Sequence, residues 1–401
     1  MRKQTASIAF ILATLGLDAL GFGLVVPIVP ELVRKLSGMG ASGAASWVGA
    51  LIATFAAAQF IAAPVLGGLS DRFGRRPVII LSLVGVSANY MLLAFAPSLT
   101  WLFLGRLVAG ATSANVSAAN AYIADVTPPE RRAQRFGLVG AAFGAGFVFG
   151  PALGGVLGAI DLRLPFLVAA GLALCNAAYG ALILPESLAK ERQRAFRWAQ
   201  ANPIGSLHTL AADPVVAKLA AAWCLMWFGL GALQSSFVLS TGLRFGWGPR
   251  ENGYALAAMG VTQALVQGLL VRSVIRRLGE RHAAACGFVL AAVAYVLFGV
   301  AGAGWVIYVA VVVQACGAIA TPAMRSLISA RAGPERQGEL QGGLSSVEGL
   351  TAIVSPVVAA TLFNHFTSNG LMFAGAPFLL GAGTYALAIV LLLRSGVVNP
   401  A

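Results

Sequence analysis

Charge is what this sequence has least of: Asp, Glu, Lys and Arg make up 10% of its 401 residues, where a soluble domain carries about 25%. So few charges cannot cover a water-facing surface, and most of the chain must therefore meet an apolar phase. Cysteine is scarce as well. Cys175, Cys224, Cys286 and Cys316 stand far apart with no ligand-like spacing, which argues against a disulfide framework or a zinc site and leaves small apolar packing residues. His208, His282 and His365 are equally scattered, and no metal site is assigned. The chain lacks a glycine-rich phosphate loop and any nucleophile–base–acid constellation, so neither an ATP-driven pump nor an enzyme is expected. Strict two-residue alternation is missing too, which excludes a membrane β-barrel.

Long continuous apolar runs fill the space these absences leave. Spans are expected near 6–33, 45–69, 77–97, 99–124, 136–160 and 164–184, then near 215–242, 251–275, 282–302, 304–328, 340–364 and 371–394. Each can cross a hydrocarbon core about 30 Å thick, giving an all-α membrane protein of twelve transmembrane helices. The first run is too long for a signal peptide, contains Asp18 and is followed by no small-residue cleavage site, so it reads as a retained span. The net charge of +13 would suggest nucleic-acid binding in a soluble protein. Placed on this topology, 21 of the 27 Lys and Arg fall on the cytoplasmic side, 5 fall outside, and Arg106 lies within span 4. That asymmetry sets both termini in the cytoplasm and makes the basic excess topogenic, with no nucleic-acid partner.

An internal repeat organises the spans. Gly74 and Gly279, Pro129-Glu130-Arg131 and Pro334-Glu335-Arg336, and Pro151 and Pro356 each stand 205 residues apart. Pro165-Phe166-Leu167 and Pro377-Phe378-Leu379 match at 212. A shared offset across separate landmarks implies two six-helix halves of one topology, related by an axis along the membrane normal: residues 1–184 and 215–401, joined by a polar, basic linker at 185–214. Phe196 and Trp198 in that linker suit a short interfacial helix, and a plain solvated linker accounts for the composition equally well.

Two motifs carry mechanical chemistry. The first, Gly67-x-x-x-Asp71-Arg72-x-Gly74-Arg75-Arg76, is read as a short loop between spans 2 and 3 in which glycine permits a tight turn. Its acid and guanidinium groups can pair with each other and with nearby helix ends, holding one conformation of a gate; the arginines alone would serve equally as topogenic anchors. The second lies in span 5, where Gly146, Gly150 and Gly154 recur every four residues and Pro151 interrupts the helix. This spacing presents one smooth face for close helix contact and favours a kink. A rigid structural crossing fits the same residues.

At these motifs the chain resembles the major facilitator superfamily along its full length, and within it the tetracycline-resistance exporters. The 67–76 motif is similar to the superfamily's signature between spans 2 and 3. Gly137-x8-Gly146-x3-Gly150-Pro151-x2-Gly154-Gly155 resembles the pattern of drug–proton antiporters. LDALGFGLVVPIVPELV at 17–33, SDRFGRRPVIILSLVG, RFGWGPRENG, RLGER at 277–281 and ERQGELQG at 335–342 are similar to the tetracycline branch. The resemblance implies two pseudo-symmetric six-helix bundles around a central cavity. It also implies a monomer in a bacterial cytoplasmic membrane, driven by the proton gradient with no bound cofactor.

Charges inside the spans mark the expected engine, because an ionised side chain at the bilayer centre costs roughly 2.5–3.5 kcal/mol even on lenient scales. Asp18 lies ~18 Å along span 1 and Arg106 ~10 Å from the outer face at 1.5 Å per residue, so they are expected at similar heights, paired or close. The balance between burial and a neighbouring guanidinium decides whether Asp18 titrates. The resemblance implies coupling and substrate handling for both. Glu348, in span 11, is the other deep acid, with Arg325 its expected partner; coupling and mutual neutralisation both fit. Gln59, Asn89, Asn115, Asn120, Gln234, Gln263, Gln267, Gln314 and Arg325 are candidates for contact with substrate, and each is equally suited to bonding another helix.

The chain departs from the exporter pattern at named positions. Asn89 and Ala291 stand where those exporters carry aspartates, and Gln263 where a histidine is common; Gln267 is retained. Glu348 and Arg325 stand where the branch has small or neutral polar residues. The missing acids weaken the case for a cationic metal–tetracycline chelate. The expected function is proton-driven export of drugs such as tetracycline or of similar small organic molecules; the alternative is proton-coupled transport of a sugar or organic acid.

Overall fold

The computed structural model describes residues 2–113, 115–188, 193, 207–331, 337–368 and 372–396. Phe196, Trp198, most of the expected linker and Pro334-Glu335-Arg336 lie outside them. Among the described residues every regular element is a helix. In chain order these are α1 (Arg2–Val25), α2 (Val29–Ser37), α3 (Ala41–Phe73), α4 (Arg75–Ala94), α5 (Leu99–Thr112), α6 (Asn115–Val126), α7 (Pro129–Ile160) and α8 (Leu164–Ile183). There follow α9 (Leu207–Ala211), α10 (Pro214–Phe245), α11 (Pro249–Leu265), α12 (Val271–Val300), α13 (Gly304–Gly317), α14 (Ala320–Ser329), α15 (Gln337–Ser368) and α16 (Ala376–Leu393).

All twelve expected spans coincide with helix, but several are not single rods. Among the described residues, ten helical stretches are long and apolar enough to cross a membrane. Span 1 breaks between α1 and α2 at Pro27, which cannot donate the backbone bond a continuous helix needs. Span 4 breaks at Ser113, leaving α5 and α6 with 14 and 12 residues. Span 10 breaks at Ala318–Ile319. Spans 8 and 9 run together from Pro249 to Val300, through a π-helical turn at Val266–Leu270 and a kink at Gly279.

The expected loop after span 2 also needs correction. Helix α3 continues to Phe73 and α4 begins at Arg75, so Gly74 alone makes the corner. Gly67 and Asp71 are helical, and Gly67 has open space where a side chain would be. Gly74 adopts φ 101°, ψ 163°, and Gly279, its counterpart in the repeat, adopts φ 74°, ψ 161°. Both values lie in a region essentially restricted to glycine.

The helices cluster into two compact units. Unit 1 contains Met1–Ser37, Ala57–Asn202 and the short segment Gly248–Ala257 from the start of α11. Its core gathers Phe10, Ile11, Leu15, Ile79, Leu83, Tyr122 and Ile123. Buried polar bonds tie its helices together, from Thr14 Oγ1 to Asn176 Oδ1 at 3.3 Å and from Ser87 Oγ to the Ala170 carbonyl at 3.0 Å. Such bonds act where no water competes for the donor.

Unit 2 contains Pro203–Trp247, Ala258–Ala401 and Gly38–Ala56, which includes the N-terminal part of α3. Aromatic rings dominate its core. Phe237 and Tyr295 both meet Phe298 edge-on, with centroids 6.0 and 6.2 Å away, and Tyr295 lies 5.1 Å from Tyr385. Edge-to-face pairing of this kind aligns the positive rim of one ring with the negative face of another.

Candidate functional site

The glycines of α7 hold a close crossing with α1 in unit 1. A Cβ at Gly146 would stand 2.7 Å from the Leu20 nitrogen, at Gly150 2.7 Å from the Leu20 carbonyl oxygen, and at Gly154 2.7 Å from the Leu24 Cα. Side chains do not fit at such distances, so the four-residue spacing reflects backbone-to-backbone contact. The next glycine faces another way: a Cβ at Gly155 would lie 2.6 Å from the Pro249 carbonyl oxygen and 3.0 Å from the Gly253 Cα. Pro151 sits between the two contacts, its ring against Gly23 and its carbonyl against Gly253. Unit 2 repeats the device, since a Cβ at Gly49 would fall 2.7 Å from the Pro356 carbonyl oxygen and 2.6 Å from the Ala360 Cβ.

Between the glycines' partners Gly16 and Ala19 on α1 stands the first charged site. Asp18 and Arg106 are both half-buried, and both act electrostatically on the phenol of Tyr90, which is 7% exposed. Arg106 and Tyr90 act on each other. Gly21, three residues after Asp18 on α1, leaves room for this ring: a Cβ there would come 3.0 Å from the Tyr90 oxygen. Three helices, α1, α4 and α5, thus bring an acid, a phenol and a guanidinium together. Tyr90 was not among the residues expected from sequence; its signal was a hydroxyl in the middle of an apolar span, beside Asn89.

The polar candidates divide. Gln59 Nε2 donates to Ser113 Oγ at 2.8 Å, joining α3 to the break in span 4. Asn89 is buried against Gly105, where a Cβ would lie 3.2 Å from its Oδ1. Asn89 Oδ1, Asn120 Oδ1 and Gln314 Oε1 are buried with no hydrogen-bond partner among the described residues. Gln267, in the π turn, donates to the Ala318 carbonyl at 3.4 Å, beside the break in span 10. Gln263 is half-buried and Gln234 exposed. The side chain of Asn115 lies outside the described residues.

Unit 2 carries the second charged site. Arg325 Nη2 donates to Glu348 Oε1 at 3.4 Å, and its guanidinium lies over the ring of Trp223 at 5.6 Å. The Trp223 indole N–H is turned toward the same carboxylate without completing a hydrogen bond of normal geometry. Ser346 and Thr351, near Glu348 in sequence, turn their hydroxyls back to carbonyls of α15 itself.

The corner of unit 1 around Gly74 is a charge cluster. Arg75 Nη1 meets Asp71 Oδ1 at 2.6 Å and its Nε meets Asp125 Oδ2 at 3.3 Å. Arg76 Nη2 donates to the Ala181 carbonyl at 2.5 Å, at the end of α8. Arg72 points away, over its neighbour Phe73. Glu186 was missed by the sequence reading, which assigned it to the linker. Its carboxylate accepts the backbone N–H groups of Arg75 and Arg76 at 2.8 and 3.1 Å, capping the N-terminus of α4 where helix dipole and free donors favour an anion.

A helical membrane protein with buried charges on broken spans and a twice-used glycine corner is built to move solutes. The chain matches the family model described as Major Facilitator Superfamily over residues 11–280 and 237–400, and it belongs to that family. It is 37% identical over 396 residues to the tetracycline resistance protein, class C, of Escherichia coli, covering 98% of each chain. It is 36% identical over 377 residues to the class E protein of Escherichia coli, covering 94% of this chain and 92% of that one. Among solved structures it resembles the human organic anion transporter MFSD10 (TETRAN) at 26% identity, with a TM-score of 0.71 over 97% of this chain and 99% of that one. The chain is therefore a multi-pass membrane transporter of small molecules and not an enzyme.

Proposed function

We propose that this transporter is an antiporter of a bacterial cytoplasmic membrane, exporting tetracycline or similar small organic molecules in exchange for protons by alternating access. The observation that carries the reading is the meeting of Asp18, Tyr90 and Arg106 inside unit 1. Asp18 is the proton carrier, because near neutral pH the phenol and the guanidinium both stay protonated and only a carboxylate is ordinarily free to take a proton. Arg106 supplies the fixed positive charge that Asp18 balances when ionised, and the Tyr90 phenol lies in the field of both. Unpaired charge at this depth is costly, so the charge state of Asp18 biases which conformation is stable.

Similarity to the class C and class E tetracycline resistance proteins supports export as the direction and tetracycline as a cargo. Asn89 and Ala291, buried and uncharged, favour a cargo that needs no pair of acids to hold a metal chelate. Residues 1–184 and 215–401 act as the two moving halves of a monomer with cytoplasmic termini, and no cofactor beyond the proton gradient takes part. The corner formed by Asp71, Gly74, Arg75, Arg76 and Glu186 serves as a gate, with Gly146, Gly150, Pro151 and Gly154 as the sliding face. A second reading, transport of an organic acid, draws support from Arg106 and Arg325 and from the likeness to an organic anion transporter.

Asp18→Asn tests the leading reading. In energised everted vesicles the wild-type chain accumulates tetracycline, and the variant, inserted at the same level, does not. Full accumulation by the variant would refute Asp18 as carrier.

A further inference from the structure

We propose that unit 2 holds a subsite for an acidic group, a carboxylate or enolate on an aromatic or otherwise apolar solute, built on the guanidinium of Arg325, which the buried ring of Trp223 backs. Glu348 occupies that subsite as a resident competitor. The site is short of acceptors. Arg325 presents five N–H donors in one plane, and its described hydrogen bond uses one of them, at 3.4 Å. Beneath the guanidinium, Trp223 is fully buried with its N–H turned toward Glu348, and the partly buried ring of Trp227 stands 6.1 Å away, one helical turn on along α10. A guanidinium with donors left over is an energetic deficit that an arriving anion removes.

The ion pair itself is slack. Well-formed contacts of this type close to about 2.7–2.9 Å, and Asp71–Arg75 in unit 1 reaches 2.6 Å. The Arg325 side chain is 52% exposed while Glu348 is 24% exposed, so the guanidinium rather than the carboxylate faces an incoming solute. Charges in a membrane span face a water-filled route rather than lipid. The surroundings suit an apolar body: Met226 Sδ accepts from Thr321 Oγ1 at 3.8 Å one turn from Arg325, and the partly exposed Trp227 follows Met226 on α10. A cationic solute would have to strip Glu348 from Arg325 and leave a charge unpaired. An anionic one replaces Glu348 on the donors already present.

This inference rests on reading the chain as a transporter of small organic molecules. Its test is read at equilibrium without a proton gradient, so failure here leaves proton-driven export standing, and the converse also holds. Binding of 2-naphthoate and of its neutral twin 2-naphthamide is measured on the full chain in lipid nanodiscs. Arg325→Gln is expected to weaken naphthoate about tenfold or more while leaving naphthamide unchanged. Glu348→Gln is expected to strengthen naphthoate several-fold by removing the competitor. Where Arg325→Gln fails to fold, Arg325→Lys serves, with a smaller loss confined to the acid. No binding of naphthoate by the wild-type chain, equal losses for acid and amide, or weaker naphthoate binding in Glu348→Gln would each overturn the proposal.

Discussion

The corners at Gly74 and Gly279, one in each unit, are the same device with different wiring. Gly74 and Gly279 both turn the chain through a conformation reserved for glycine. Two residues on, Arg76 donates to the Ala181 carbonyl and Arg281 to the Leu393 carbonyl, at the ends of α8 and α16. The backbone scaffold is therefore repeated down to a single guanidinium. The acids are not. Unit 1 surrounds Arg75 with Asp71 and Asp125 and caps α4 with Glu186. Unit 2 has Glu280 at the position matching Arg75, touched by Ser326 at 3.4 Å. The shared parts build a corner; the parts peculiar to unit 1 can latch it.

The comparison is broken most severely at the glycine–proline contacts. Gly49→Leu and Gly253→Leu should each abolish transport and lower the Tm, since neither helix can clear a proline carbonyl with a side chain between them; overpacking costs about 1–3 kcal/mol or more. Normal transport by either variant would show that this contact is not needed. Next come the corners. Gly74→Ala and Gly279→Ala both force a side chain into the glycine region at about 1–3 kcal/mol, and Gly74→Ala also sets its Cβ against the latching Glu186 carboxylate, 2.6 Å from Cδ. Transport assays should find Gly74→Ala the more damaging, and the reverse order would contradict the latch.

Smaller effects separate latch from scaffold. Glu186→Gln removes an anion from a helix N-terminus, worth about 0.3–1 kcal/mol, and should slow turnover while leaving drug affinity in detergent unchanged. An equal loss of both would make Glu186 a binding residue. Arg76→Gln and Arg281→Gln should each lower Tm by a few degrees and by similar amounts, and a difference greater than about 1 kcal/mol would break the symmetry of the scaffold.

Much of this was readable from the chain alone. Length and continuous apolarity located all twelve spans, and the 205-residue offset anticipated that Gly74 and Gly279 would share a conformation. The breaks in spans 4 and 10 were hidden, because Ser113 and Ala318 are unremarkable in a hydropathy pattern and the breaks depend on tertiary contacts such as Gln59 on Ser113. Glu186 was hidden for another reason. It follows span 6 in a polar stretch, and only folding returns it to the start of α4, 111 residues earlier. Tyr90 counted as apolar in its span, although its phenol lies in the field of both Asp18 and Arg106.

The central claim is that drug leaves in exchange for protons carried by Asp18, and proton flux reports on it directly. Everted vesicles are acidified inside, and their internal pH is followed by a trapped dye as tetracycline is added. Wild-type vesicles should release protons on each addition, in proportion to the drug taken up, whereas Asp18→Asn vesicles should release none. Drug uptake with no proton release in the wild type, or equal release in the variant, would contradict the account.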